Sequence, residues 1–171
     1  MDTTLNERLI RIAHKDEIRE LLERYCRGVD RLDEDLITSV YWPNARDRHG
    51  SFEGSGDDFA RFVVGRLSDR YESTMHLLGQ SLIEFAQDSA RAETYFVAFH
   101  RCEEQGRSVL DVAAGRYVDE LEFRNHEWRL SARTVVLEWC DSEPNLAMET
   151  WPLNMFARGV RSRDDLAYGG R

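Results

Sequence analysis

At 171 residues, with 42 % apolar and 11 % aromatic side chains, the chain is long enough to bury one substantial core and too short for two large domains; disorder is expected only at its ends. A formal net charge of −9 argues against general nucleic-acid binding and against attachment to anionic membranes, both of which need a basic surface. No apolar run approaches a membrane span, and "MDTTLNERLIRIAHKDE" lacks the apolar centre of a signal peptide. Cys26, Cys102 and Cys140 are odd in number and widely spaced, which suits reduced thiols in a cytoplasmic protein.

Residues 5–27 read as a helix, because Leu5, Leu9, Ile12, Ile18, Leu21, Leu22 and Tyr25 recur at helical spacing among charges. Gly28 is the expected stop, and Asp33 the expected cap of a short helix reaching about Tyr41. Pro43 and Asn44 then break the chain, and a short extended piece follows near Arg46 to His49. Residues 56–70 return to helix, with Phe59, Phe62, Val63 and Leu67 as the buried stripe. From Met75 the texture changes to strands, expected at 75–85, 91–103, 108–123 and 128–140 and separated by "AQDSA", "EEQGR" and "RNHE". Helices followed by a meander of long strands is an α+β pattern, one curved sheet wrapped around helices with a cavity between them. The tail from Asp141 to Arg171 is irregular yet carries Trp151, Pro152, Leu153, Met155 and Phe156; such a tail should pack over the cavity or against a neighbouring subunit.

Among residues able to carry chemistry, His76 stands out. Unbroken alternation puts His76, Leu78, Gln80, Leu82 and Glu84 on one face of a strand and Met75, Leu77, Gly79, Ser81, Ile83 and Phe85 on the other. A lone histidine there is most simply structural. Asp30, just past the first helix, changes that: a carboxylate bonded to one ring nitrogen fixes the tautomer and frees the other nitrogen as a base. Asp33, Glu34 and Asp35 read as cap and surface. His100 shares a mostly apolar face with Thr94, Phe96 and Ala98 and is either a core histidine or a site residue. Tyr25 lies on the buried helical stripe, where its hydroxyl needs a partner. Arg133, beside Val135, Leu137 and Trp139, must either pair internally with Asp111 or Asp119 or face a polar cavity. Cys140 is expected to be a buried thiol. No spacing of His, Cys and acidic residues suggests a metal, and there is no glycine-rich phosphate loop, so neither metal nor cofactor is expected.

The stretches "IRELLERYCRGVDRLDEDLI", "STMHLLGQSLIEF", "AETYFVAFHR", "AGRYVDELEFRNHEWRLSARTVVLEW" and "RGVRSRDD" resemble, in order, the SnoaL-like branch of the NTF2-like superfamily. That branch includes scytalone dehydratase, hexachlorocyclohexane dehydrochlorinase and bile-acid 7α-dehydratase, all elimination catalysts. The resemblance implies one domain over 1–171, with a core at about 14–140, folded as a cone-shaped α+β barrel around an apolar pocket. It implies that Asp30 and His76 correspond to the Asp–His pair of these eliminases, with Tyr25, His100 and Arg133 at further pocket positions. Trp42, Phe59, Phe96, Tyr117, Leu137 and Trp139 are most simply core, but the implied fold turns several of them toward the cavity. The serine and asparagine of scytalone dehydratase's third strand are replaced by Gly115 and Tyr117, which argues against scytalone as substrate.

The expected function is a cofactor-independent lyase acting on a small hydroxylated aromatic or polycyclic molecule. His76, oriented by Asp30, would remove a proton, and Tyr25, Arg133 or His100 would bind the leaving oxygen or enolate. Dehydration and retro-aldol cleavage would use the same groups. Two alternatives stay open: a non-catalytic ligand-binding or dioxygenase small-subunit-like module, and a ketosteroid-type isomerase with Asp30 as the direct base. The apolar sheet face and tail imply a homo-oligomer, a trimer or a dimer, with Val109, Leu121, Phe123 and residues 151–156 as candidates for burial between chains.

Overall fold

A long helix α1 (Thr3–Arg31) opens the chain in the computed structural model, which describes residues 3–150 and 153–169. From His14 onward the helix is anchored: the His14 ring packs on Phe123 and Trp128, and Ile18, Leu21, Leu22, Tyr25 and Val29 are buried. Leu5, Leu9 and Ile12 continue the stripe but are half or more exposed, because none of the described residues covers those first turns. Gly28 does not stop the helix. A Cβ there would meet Ile37 Cγ1 at 2.8 Å, so glycine serves the close approach of the next helix instead. The stop is Leu32, in the left-handed region at φ 54°, and the Asp33 side chain accepts from the Leu36 N–H at 3.1 Å to cap α2 (Glu34–Ser39).

Six strands follow: β1 (Tyr41–His49), β2 (Phe52–Ser55), β3 (Ser73–Ala86), β4 (Ser89–Glu104), β5 (Arg107–Arg124) and β6 (Glu127–Pro144), with α3 (Gly56–Arg70) between β2 and β3. The sheet order is β2-β1-β6-β5-β4-β3, antiparallel except for the β1–β6 pair, and the sheet curves around the helices without closing. This is the NTF2-like α+β cone. The Pro43–Asn44 break is an irregularity inside β1, where pairing with β6 shifts between Tyr41 and Arg46; β2 has no counterpart in the sequence expectation. Phe62, half exposed, leaves the expected stripe of α3 and stacks on Phe52 with centroids 5.0 Å apart.

Two bulges re-aim the strands. Pairing of β3 with β4 slips between Leu78 and Ser81, so Thr74, His76 and Leu78 turn inward, and after the slip Ser81, Ile83 and Phe85 do. Leu82, expected beside His76, is therefore 64 % exposed. Pairing of β5 with β6 slips at Ala114/Gly115, where a Cβ on Gly115 would lie 2.1 Å from the Val136 carbonyl oxygen. Only glycine fits there. Beyond that slip the two strands run past the core; Leu137 and Trp139 are more than half exposed, and the Cys140 thiol is exposed rather than buried.

The core is centred on a buried ion pair. Asp47, Arg133 and Asp119 are direct neighbours across β1, β6 and β5. Arg133 donates through Nε and Nη2 to the two Asp119 oxygens at 2.7 and 2.8 Å, and its guanidinium lies 4.1 Å from the Tyr25 ring centre and 4.2 Å from that of Tyr117. Tyr41 donates to Asp47 at 2.7 Å. Burial pushes the Asp119 carboxyl up and Arg133 opposes it. Removing one partner of so dry a pair typically costs about 3–5 kcal/mol, which makes Arg133 a structural centre. The tail continues through α4 (Ala147–Thr150) and two short 3-10 turns, Leu153–Met155 and Leu166–Tyr168. Met155 and Phe156 are exposed; Trp151 and Pro152, expected to be covered, lie outside the described residues.

Candidate active site

Asp30, in the last turn of α1, meets His76 near the start of β3 with both carboxylate oxygens. Oδ1 contacts His76 Nδ1 at 2.7 Å, and Oδ2 accepts the His76 backbone N–H at 2.9 Å. The two side chains are 12 % and 9 % exposed, so the contact is nearly dry. Burial alone would raise the Asp30 carboxyl; the hydrogen bonds and charge of His76 outweigh it and hold the group below the usual carboxylate range. Asp30 is therefore an acceptor only. Nδ1 must carry the shared proton, and Nε2 of a neutral His76 is left as the basic lone pair.

The dyad lines a cavity of about 370 Å³ with Cys26, Arg27, Arg31, Leu78 and Ala167. Leu77 and Leu78 form a wall shared with an apolar groove of about 380 Å³, whose further lining includes Phe96, Gly115 and Trp139. The His100 ring stands edge-on to His76 with centroids 5.6 Å apart and packs on Tyr71 at 4.8 Å. His100 also lines a third cavity, of about 510 Å³, with Tyr71, Asp111 and Ser142. Burial pushes the His100 imidazole down to about 4; the His76 charge acts in the same direction, and a hydrogen bond with the Asp111 backbone acts against both. His100 is therefore neutral at neutral pH. Burial pushes the Cys26 thiol in the dyad's cavity up to about 12, so it is no nucleophile at neutral pH.

A model of the SnoaL-like domain matches residues 11–134. The chain belongs to the SnoaL-like domain family. Among solved structures it is similar to a hexachlorocyclohexane dehydrochlorinase, LinA type 2, at 23 % identity and a TM-score of 0.71, over 80 % of this chain and 93 % of that one. The type 3 enzyme from Novosphingobium barchaimii gives 22 % and 0.69, over 79 % and 93 %. A protein from Novosphingobium aromaticivorans assigned as a scytalone dehydratase gives 14 % and 0.68, over 77 % and 88 %. At such identities the likeness speaks for the fold. No curated protein sequence matches the chain.

Of the residues singled out in this SnoaL-like chain, the structure brings Asp30, His76 and His100 together. It places Tyr25 and Arg133 elsewhere. Arg133 takes the internal pairing, to Asp119, and Tyr25 stacks on its guanidinium among Phe59, Tyr41 and Tyr117. Phe59 and Tyr117 are sealed in the same core, and Trp42 is buried with its indole N–H donated to the Glu122 carbonyl at 3.0 Å. Of the expected cavity aromatics, Phe96 and Trp139 line the apolar groove, whereas Leu137 is exposed. Among the described residues, no three His, Cys, Asp or Glu side chains converge as metal ligands would.

Sequence reasoning expected the tail to pack over the cavity or against a neighbouring subunit, but did not find the contacts that anchor it. Arg163 grips Asp33 through Nε at 3.0 Å and Nη2 at 2.6 Å, Tyr168 donates to the same carboxylate at 2.9 Å, and Arg27 donates to the Ala167 carbonyl. Asp33 is thus buried rather than on the surface. The three arginines of "RGVRSRDD", set against the carboxylates after the first helix, were the available signal.

His100 gives the fold a pH dependence of definite sign. Its value falls from an ordinary 6.5 in the unfolded chain to about 4 in the fold, so the unfolded state binds the extra proton between those values. The stability linked to it is present above pH 6.5 and is lost as pH falls toward 4, by about 3 kcal/mol at most. In urea titrations from pH 7 to 4, His100→Asn should lose less stability than the wild type. Parallel curves for the two proteins would contradict the assignment.

Proposed function

We propose that this chain is a cofactor-independent lyase whose base is His76, acting on a small hydroxylated aromatic or polycyclic substrate. The observation that carries the proposal is the Asp30–His76 contact, 2.7 Å long and nearly dry, in a cavity that shares a wall with an apolar groove. Nε2 takes the proton next to the departing group, and Asp30 stabilises the imidazolium that forms. His100, neutral and edge-on to His76, offers a hydrogen bond to the leaving oxygen or the developing enolate. The groove at Phe96 and Trp139 suits the flat apolar body of the substrate. The names of the similar structures, a dehydrochlorinase and a dehydratase, are those of elimination reactions, which supports an elimination over other proton transfers. Retro-aldol cleavage would use the same base.

Both Asp30 oxygens are engaged by His76, which speaks against Asp30 as the direct base of an isomerase. We take residues 1–171 as one domain, the tail being tied to α1, α2 and α3 through Arg27, Asp33 and Leu67. The free thiols of Cys26, Cys102 and Cys140 suit a cytoplasmic, reducing setting, and among the described residues no helix is long and apolar enough to cross a membrane.

A screen of hydroxylated aromatic and polycyclic compounds, followed by new conjugated absorbance, tests the function. With a substrate in hand, His76→Ala should lower kcat by ~10²–10⁴-fold while the chain still folds, at a lowered melting temperature because the nearly dry Asp30 carboxylate loses its ring partner. Asp30→Asn should remove a large part of the same rate, and the double variant should be barely worse than His76→Ala, because the two residues act as one unit. Full activity in His76→Ala would leave the reaction without its base.

We further propose that the chain associates with copies of itself. Leu121 and Phe123, expected at a subunit interface, belong to the chain's own core. Met155 and Phe156, also expected there, are exposed, as are Leu5, Leu9, Ile10 and Ile12 on α1 and Met75, Leu77, Leu82, Tyr95, Leu137 and Trp139 on the sheet. Light scattering at micromolar concentration should give the mass of a dimer or trimer; a monomer would contradict it.

A further inference from the structure

Arg161 is a partly buried cation that the mechanism above leaves unused. Its Nη1 donates to the Leu67 carbonyl at 3.1 Å and to the Tyr71 carbonyl, so the guanidinium is held by the C-terminal end of α3. Its Nε and Nη2 are buried and have no hydrogen-bond partner among the described residues. Those two nitrogens form one edge of the guanidinium, the edge whose parallel N–H bonds match a carboxylate. Elsewhere among the described residues that edge meets carboxylates: Arg133 grips both oxygens of Asp119 with Nε and Nη2, and Arg163 grips both of Asp33 with the same pair. In Arg161 the same fork is preformed and empty-handed. Arg101 and Arg129 each have a buried Nε without a partner, but Arg161 alone among the described residues has both fork nitrogens so.

Arg161 lines none of the cavities described above, but its neighbours connect it to the candidate site. Tyr71, whose carbonyl Arg161 holds, packs on His100, and His100 stands against His76. Asp165 takes the Val160 N–H at 2.7 Å and the Arg31 Nε at 3.3 Å, which fixes the backbone beside Arg161 to a residue lining the dyad's cavity. Burial lowers the Arg161 guanidinium; the charge of Asp30 acts against it and that of Arg31 with it. Two dry donors left unsatisfied are costly, and natural folds keep such groups for a partner.

We propose that Arg161 is a substrate-binding residue whose Nε and Nη2 hold a carboxylate of the substrate, so that the substrate class is the hydroxylated aromatic or polycyclic acids. The inference rests on the lyase reading for the reaction, but its binding claim is measured without turnover. The probes are 2-naphthoate and its neutral isostere 2-naphthamide, titrated by fluorescence into the full chain and into His76→Ala. Naphthoate should bind at least tenfold more tightly than the amide to both proteins. Arg161→Gln, and Arg161→Lys, which keeps the charge without the fork, should each abolish most of that preference.

Equal affinities for acid and amide in the wild type would overturn the proposal, whether or not Arg161→Gln folds. So would no naphthoate binding at millimolar concentration, or a preference that survives in Arg161→Lys. Should His76→Ala keep full activity while the acid preference depends on Arg161, the base assignment fails and the carboxylate site stands.

Discussion

The structure turns on one carboxylate with two duties. Asp30 binds the His76 backbone N–H with one oxygen and the ring with the other, so the residue that docks the end of α1 onto β3 is also the one that fixes the imidazole. A contact to the ring alone would leave the ring free to pivot. The second bond ties the strand itself to the helix and sets where Nε2 can point. Position, tautomer and charge all follow from this contact.

Several features support it from a distance. Gly28 lets α2 approach so closely that α1 can run on to Arg31 with Asp30 inside its last turn. Asp33, one turn later, is both the cap of α2 and the anchor for Arg163, and so ties the tail beside the same cavity. The bulge after Leu78 lets β3 present His76 inward in its first half and Ile83 inward in its second. The Arg133–Asp119 pair fills the centre of the cone with side chains, so the open space is displaced to the rim, where His76, His100 and Trp139 are found. A buried pair of this kind is costly to form and costlier to break by halves; it specifies the core more than it stabilises it.

Much of this was legible in the sequence, and the parts that were not have a common cause. Helical and strand periodicity located α1, α3 and the four long strands, because each buries a regular face. The pairing of Asp30 with His76 was legible mainly through the resemblance to the SnoaL-like branch, because the residues alone left Asp30 as one of four carboxylates in "DRLDEDL". Bulges were not legible, since a one-residue insertion leaves alternation intact on each side and changes only which side faces in. That is why Leu82, Leu137 and Trp139 were expected inside and lie exposed. Arg133 had two admissible solutions, a salt bridge or a cavity, and composition does not choose between them; the register that sets it between Asp47 and Asp119 does. Arg161 was invisible for a similar reason, because nothing local to a tail residue says that its fork will be buried without a partner among the described residues.

The central claim is that Asp30 keeps the His76 proton on Nδ1 and leaves Nε2 bare. Nitrogen-15 NMR of the imidazole side chains, in the resting protein at a pH where the His76 ring is neutral, reads this directly without any substrate. The account predicts that His76 Nδ1 shows a bonded proton and that Nε2 resonates as an unprotonated nitrogen. A proton found on Nε2, with Nδ1 bare, would contradict it.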